Sequence, residues 1–241
     1  MVQSREVVVT GGGTGIGYAV AAKFAAAGES VTITGRREKV LAESAALLGA
    51  KYVAFDAADP AAVEGALAEL PERVDVLVNN AGGNTDRIRE KATDLAGVAD
   101  AWRANYEANV LTTVLVTTAL QPRLAERARV VTIGSIAAKA GSGSYGAAKA
   151  ALESWNVQLA KQLGTSGATA NIVAPGVVLD TEFFQGTLDE KWLKSRTSAA
   201  INQRAGQPDE IADAIFFLAG TGAGHITGQV LHVNGGAHLG S

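Results

Sequence analysis

The chain contains no cysteine, one methionine and only three histidines in 241 residues. Without cysteine there is no disulfide framework, no thiolate nucleophile and no thiolate metal site. His225, His232 and His238 share no spacing with a carboxylate cluster, so no metal site is expected. Charge is scarce too, at 19% of residues, and 21 Lys+Arg against 24 Asp+Glu leave a formal net charge of −3. With no basic run, nucleic acid is not the expected partner. Long apolar runs are also missing. The uncharged stretches Ala108–Gln121 and Ala214–Ser241 are broken by Asn, Thr, Gln and Gly, so no membrane span is expected. Met1–Glu6 carries no basic segment leading into an apolar one, so the expectation is a cytoplasmic protein without a secretory leader.

What is present is apolar sequence, 47% of residues, in short β-branched runs separated by alanine-rich segments of helical spacing. That is enough to bury a large core at this length without a staple. The spacing predicts strands at Glu6–Thr10, Ser30–Thr34, Tyr52–Phe55, Val74–Asn79, Arg129–Ile133, Thr169–Val173 and Gln229–Val233. It predicts helices at Ile16–Ala27, Ala61–Leu70 and Ala147–Leu163, with Asp59 and Pro60 as a cap-and-start pair. Strands this apolar, spaced by helices, imply an α/β fold: a doubly wound, Rossmann-type parallel sheet of about seven strands, covered on both faces. No linker or repeat divides residues 1–241, so one domain is expected. Phe216-Phe217-Leu218 is expected in the core. The strandless interval 181–205, with Phe183, Phe184 and Trp192, is expected to be either a small helical substrate lid or a helix packed on its own domain.

The first strand runs into Gly11-Gly12-Gly13-Thr14-Gly15-Ile16-Gly17 and then a helix. Such a turn lets backbone approach a pyrophosphate, which the helix N-terminus then binds through free N–H groups and its positive dipole end. The alternative is a tight strand–helix connection. The second strand ends in Thr34-Gly35-Arg36-Arg37, with no acid until Glu38. A guanidinium there suits a 2′-phosphate, where an acid would bind a 2′-hydroxyl, so NADP(H) is expected over NAD(H). The alternative is that both arginines are solvated at the start of the next helix.

Ser135 follows one predicted strand, and Tyr145 and Lys149 open the long helix after it. The i, i+4 spacing puts the phenol and the ammonium on one helical face. A tyrosine near its ordinary pKa is a poor acid or base at neutral pH, and a neighbouring cation stabilises its phenolate.

With these motifs in order along nearly the whole chain, together with Asn79-Asn80-Ala81-Gly82 and Pro175-Gly176, the sequence resembles the short-chain dehydrogenase/reductase family. The segments Arg204–Glu210 and Ile226–Gly236 resemble bacterial 3-oxoacyl-[acyl-carrier-protein] reductases and related ketoreductases. The resemblance implies that Tyr145 donates a proton to a ketone oxygen, Ser135 orients that oxygen, and Lys149 grips the nicotinamide ribose. It implies that Asn109, expected in a helix over Tyr106–Leu120, holds a water of the proton relay. Asp56 and Ala57 would meet the adenine, Asn80, Ala81 and Gly82 the adenosine ribose, and Val178 and Thr181 the carboxamide. The implied activity is NADPH-dependent reduction of a ketone to a secondary alcohol, with a 3-oxoacyl thioester on acyl carrier protein or coenzyme A as substrate. A polyketide or other cyclic ketone is the alternative, and an NADP-binding sensor without turnover is an alternative of another class. A homotetramer or dimer is implied as well. Two departures stand out: the Ser135–Tyr145 interval is shorter than in most members, and Gly13-Thr14 replaces a basic residue of the turn.

Overall fold

Val7, Val8 and Val9 are all completely buried, yet they point to opposite sides of the first strand. Val7 and Val9 join one hydrophobic cluster and Val8 joins another, so the strand is sandwiched between two layers. The computed structural model describes residues 4–184 and 189–240. In chain order they form β1 (Glu6–Thr10), α1 (Gly15–Ala26), β2 (Ser30–Gly35), α2 (Glu38–Leu48), β3 (Lys51–Ala54), α3 (Pro60–Ala66) and β4 (Val74–Asn79). Then follow α4 (Leu95–Tyr106), α5 (Thr112–Leu120), β5 (Leu124–Ile133), α6 (Gly143–Leu163), β6 (Thr169–Pro175), α7 (Glu190–Ser198), α8 (Pro208–Leu218) and β7 (Val230–Val233).

The seven strands make one parallel sheet in the order β3-β2-β1-β4-β5-β6-β7. Phe24 of α1 and Ile211 and Ile215 of α8 cover one face, with Leu41 of α2. Val63 of α3, Val116 and Leu120 of α5, and Leu159 and Leu163 of α6 cover the other. Truncating Phe24, which is fully buried, to alanine would cost about 3–5 kcal/mol by leaving a cavity. The direction of winding reverses between β1 and β4, and the crevice outside the strand ends at such a reversal is where an open α/β sheet binds ligands.

The expected strands and long helices are present, with local corrections. Asp59 caps α3 by accepting from Ala61 N at 2.9 Å, but the helix expected to reach Leu70 ends at Ala66. The strand expected from Arg129 begins at Leu124, and its pairing with β4 shifts register between Val74 and Val76. Phe217 is 56% exposed, contrary to expectation; Phe216 stacks on Phe24 and Leu218 is buried, because successive residues of a helix turn through different faces. The helix expected over Tyr106–Leu120 is the end of α4 joined to α5 by a π-helical turn at Glu107–Leu111. Of the interval 181–205, residues 185–188 lie outside the described residues; the rest supplies a 3-10 turn at Glu182–Phe184 and α7.

Candidate active site

The glycine turn between β1 and α1 is shaped by close approach. Gly11 has φ +64°, and a Cβ on Gly17 would collide with the Gly11 carbonyl oxygen and Asn80 Nδ2. A Cβ on Gly12 would stand 2.6 Å from Ile33 Cγ2. Asn80 Nδ2 pins the turn from β4, donating to Thr10 O at 3.1 Å and Gly11 O at 3.0 Å. Thr10 Oγ1 accepts from the backbone N–H of Asn80 and of Ala81, each at 3.0 Å. At the start of α1, Thr14 makes no side-chain cap and the first turn has no acidic residue, so its N–H donors and positive dipole end stay available to an anion. Thr181 lies directly over this turn, 3.3 Å from where a Gly15 Cβ would be. The cradle, its helix dipole and a neighbouring arginine fit a dinucleotide pyrophosphate.

That arginine is Arg37, and it is occupied. Glu182 accepts from Arg37 Nη1 at 3.2 Å and Nη2 at 2.6 Å, and from Thr14 Oγ1 at 3.2 Å. The Arg37 hydrogen bond holds the Glu182 carboxyl below its ordinary pKa. Arg36 is exposed and has no ion-pair partner among the described residues. Asp56 and Ala57 follow β3, Asp56 Oδ1 accepting from Ala58 N at 3.0 Å, with Ala57 buried.

Ser135, Tyr145 and Lys149 come together at the end of β5. Ser135 is half-buried and caps the next short turn by accepting from Ala137 N at 3.1 Å. A Cβ on Gly146 would lie 2.6 Å from Ala137 O, so the first turn of α6 presses against the Ser135 loop. Tyr145 hydrogen-bonds the Ser135 side chain beside this contact. Lys149 Nζ donates to Ile133 O at 2.8 Å and lies 6.0 Å from the centre of the Tyr145 ring. Burial pushes the Tyr145 phenol up to about 12, against opposing effects of hydrogen bonding to Ser135 and the charge of Arg87. Burial alone brings the Lys149 ammonium down to about 8.

Asn109 is completely buried within the π-helical turn, a distortion frequent at functional sites. Its Nδ2 donates to Gly83 O and Asn105 O, both at 2.9 Å, and its Oδ1 accepts from Gly83 N at 3.2 Å. It is not joined directly to Lys149; it fixes the strand-end loop containing Gly82 and Gly83. Pro175 ends β6, and Gly176 packs so closely on Asn234 that a Cβ would sit 3.0 Å from Asn234 Cβ. Val178 is buried and accepts from Thr181 Oγ1 at 3.4 Å. The glycine turn, Asn80–Gly82, Ser135 and Gly176 therefore share the C-terminal edge of four adjacent strands.

A family model described as enoyl-(acyl carrier protein) reductase matches residues 11–238. The 3-oxoacyl-[acyl-carrier-protein] reductase FabG of Escherichia coli K12 is 34% identical over 248 residues, covering 98% of each chain. The chain belongs to the short-chain dehydrogenase/reductase family. A second relative, the (2S)-[(R)-hydroxy(phenyl)methyl]succinyl-CoA dehydrogenase subunit BbsD of Thauera aromatica, is 35% identical over 255 residues, covering 99% of this chain and 98% of its own. Among solved structures, the Pseudomonas aeruginosa RhlG/NADP active-site complex superposes with TM-score 0.86 at 31% identity, covering 99% of this chain and 98% of that one. As a short-chain dehydrogenase/reductase, the chain is an oxidoreductase with a Rossmann-type sheet. No helix among the described residues is long and apolar enough to cross a membrane.

Two participants of the site escaped the sequence. Glu182 sits in the interval read as either a lid or a helix packed on its own domain, but nothing marked it as the partner of Arg37. Arg87 lies in a polar stretch without periodicity, where no signal distinguished it.

Proposed function

We propose that this oxidoreductase reduces a ketone to a secondary alcohol with NADPH, and that its substrate is a 3-oxoacyl thioester carried on acyl carrier protein or coenzyme A. The observation that supports it most is the buried Tyr145–Lys149 pair beside Ser135, on the same sheet edge as the glycine turn. Bound NADPH supplies the hydride. The chain supplies the proton and the orientation. Ser135 Oγ hydrogen-bonds the ketone oxygen, and Tyr145 donates its proton to that oxygen as it gains charge. A phenol pushed up to about 12 keeps its proton at neutral pH, the form that reduction requires. The Lys149 ammonium lowers the cost of the phenolate left behind and restores its proton, while Asn109 keeps the loop at Gly83 in place.

The preference for NADPH rests on Arg36 and Arg37, whose guanidinium groups suit a 2′-phosphate, and the related RhlG structure is an NADP complex. The thioester substrate rests on the 34% identity to the FabG enzyme. A bulkier aromatic ketone is the second reading, favoured by the wall that Phe183 forms 5.9 Å from the Tyr145 ring. A homo-oligomer is supported by Leu95, Val98, Trp102 and Tyr106, which recur at helical spacing on α4 and are all exposed. The deciding experiment is NADPH oxidation with an acetoacetyl thioester, comparing the native chain with Tyr145→Phe. Turnover that collapses in the variant supports the reading, and equal rates in both would overturn it.

A further inference from the structure

Arg87 follows the glycine-rich loop after β4, and it is held against the wall of the candidate site. Its guanidinium carbon lies 5.1 Å from the ring centre of Phe183, 4.8 Å from Phe184 and 5.0 Å from Trp192. The same Phe183 ring stands 5.9 Å from Tyr145. Aromatic rings stabilise a guanidinium's charge but accept none of its N–H bonds in the geometry of a carboxylate. No side-chain nitrogen of Arg87 donates to a protein acceptor among the described residues, and its Nε is buried without a partner. Burial weakens its hold on its proton, with only the Tyr145 oxygen acting in the opposite sense. Arg87 is half-buried with its Nε shut off from water, and no carboxylate pairs with it among the described residues, so a ligand anion would supply a counter-charge that the protein does not.

The position is built rather than incidental. Asp86, the adjacent carboxylate, is not the partner of Arg87; its Oδ2 accepts from Ser144 Oγ at 2.9 Å. Ser144 Oγ also accepts from Asn105 Nδ2 at 2.9 Å, and Asn105 Oδ1 accepts from Thr85 N at 3.1 Å. Ser144 and Asn105 are both buried. This chain of bonds ties the residue before Arg87 to the residue before Tyr145. The backbone positions from which Arg87 and Tyr145 project are thereby held together.

We propose that Arg87 is the carboxylate-binding residue of the substrate pocket, and that the ketone presented to Tyr145 is an oxo acid whose apolar portion lies along Phe183 and Trp192. A planar fork of N–H donors matches a carboxylate with two parallel bonds. The inference rests on the ketone-reducing part of the reading above and departs from its thioester part, since it requires a free carboxylate on the substrate.

The test uses one ketone in two charge states, 3-benzoylpropionate and its methyl ester, with NADPH. The native chain is expected to favour the acid in kcat/KM by about 10- to 100-fold, the range of a charge-assisted bond pair. Arg87→Gln is expected to erase that ratio, and Arg87→Lys to restore part of it. Because acid and ester are compared on the same preparation, a loss of folded enzyme cancels from the ratio. An acid/ester ratio unchanged in Arg87→Gln overturns the proposal. Calorimetric binding of 3-benzoylpropionate to the protein with NADP+ separates the two readings. Arg87-dependent binding without turnover upholds the carboxylate site and removes the ketone reading, whereas ester turnover without Arg87-dependent binding does the reverse. Absence of both overturns both. An Arg87→Gln defect confined to acetoacetyl-CoA, and absent from the N-acetylcysteamine thioester, reassigns the residue to a carrier phosphate and overturns the carboxylate assignment.

Discussion

Glu182 clamps Arg37 through two hydrogen bonds, Nη1 to Oε1 at 3.2 Å and Nη2 to Oε2 at 2.6 Å. Under the NADPH reading proposed above, the carboxylate and a 2′-phosphate would compete for the same guanidinium fork. Both partners are more than half exposed, so the pair is worth only a fraction of a kcal/mol to the fold. Its effect falls on ligand competition.

Glu182→Gln is therefore expected to tighten NADPH binding about two- to fivefold, the scale of an exposed ion pair. NADH, without the 2′-phosphate, is expected to bind with nearly unchanged affinity. Arg37→Met is expected to weaken NADPH selectively. Fluorescence titration of the two nucleotides against each variant checks this; equal shifts for both nucleotides would remove Arg37 from the phosphate site.

Tyr145→Phe is expected to lower kcat for ketone reduction by about 10²- to 10⁴-fold, the contribution of a positioned proton donor. NADPH affinity should change little. Reduction by the native chain is expected to be flat below about pH 8 and to fall above it, because the Lys149 ammonium is lost there while the phenol, raised to about 12, keeps its proton. The pH profile of kcat/KM measures it. A profile that rises through pH 8 to 10 would contradict the assignment.

The same lysine leaves a signature in stability. Its folded pKa, about 8, lies below the ordinary 10.5, so between those values the unfolded chain binds more protons than the folded one. Stability contributed by this group must then rise with pH across that window. The native chain is expected to gain stability relative to Lys149→Met between pH 8 and 10. Urea midpoints of the two proteins at pH 7.5 and 9.5 test the sign.

Gly17→Ala is expected to destabilise the chain by about 1–3 kcal/mol and to abolish NADPH binding, since its Cβ meets the Gly11 carbonyl and Asn80. Gly65→Ala in α3 makes the contrast: nothing lies within 4 Å of its added methyl. That substitution should stabilise by about 0.5 kcal/mol through helix propensity. Thermal melts and nucleotide titration separate the two effects.

These residues differ in how far the sequence disclosed them. The sheet was legible because Val7, Val8 and Val9 belong to a short apolar run between helix-spaced segments, a pattern set by local geometry. Tyr145 and Lys149 were legible because one helical turn suffices to bring them together. The Arg37–Glu182 pair spans 145 positions and depends on how the connection after β6 folds back over α1, which no local period encodes. Arg87 was hidden for a related reason: only the assembled rings of Phe183, Phe184 and Trp192 single it out from other arginines. Phe217 misled because a Phe-Phe-Leu run conceals which member faces outward.

Glu182 and Phe183 are neighbours in the chain. One holds Arg37, the proposed phosphate-binding arginine, and the other packs beside the Tyr145 phenol. A single peptide bond therefore links the proposed nucleotide-selecting arginine to the ring beside the proposed proton donor. If the proposed sites hold, the two specificities are one trait for anyone redesigning the nucleotide preference: a substitution at Glu182 would act on the neighbouring Phe183 as well as on Arg37.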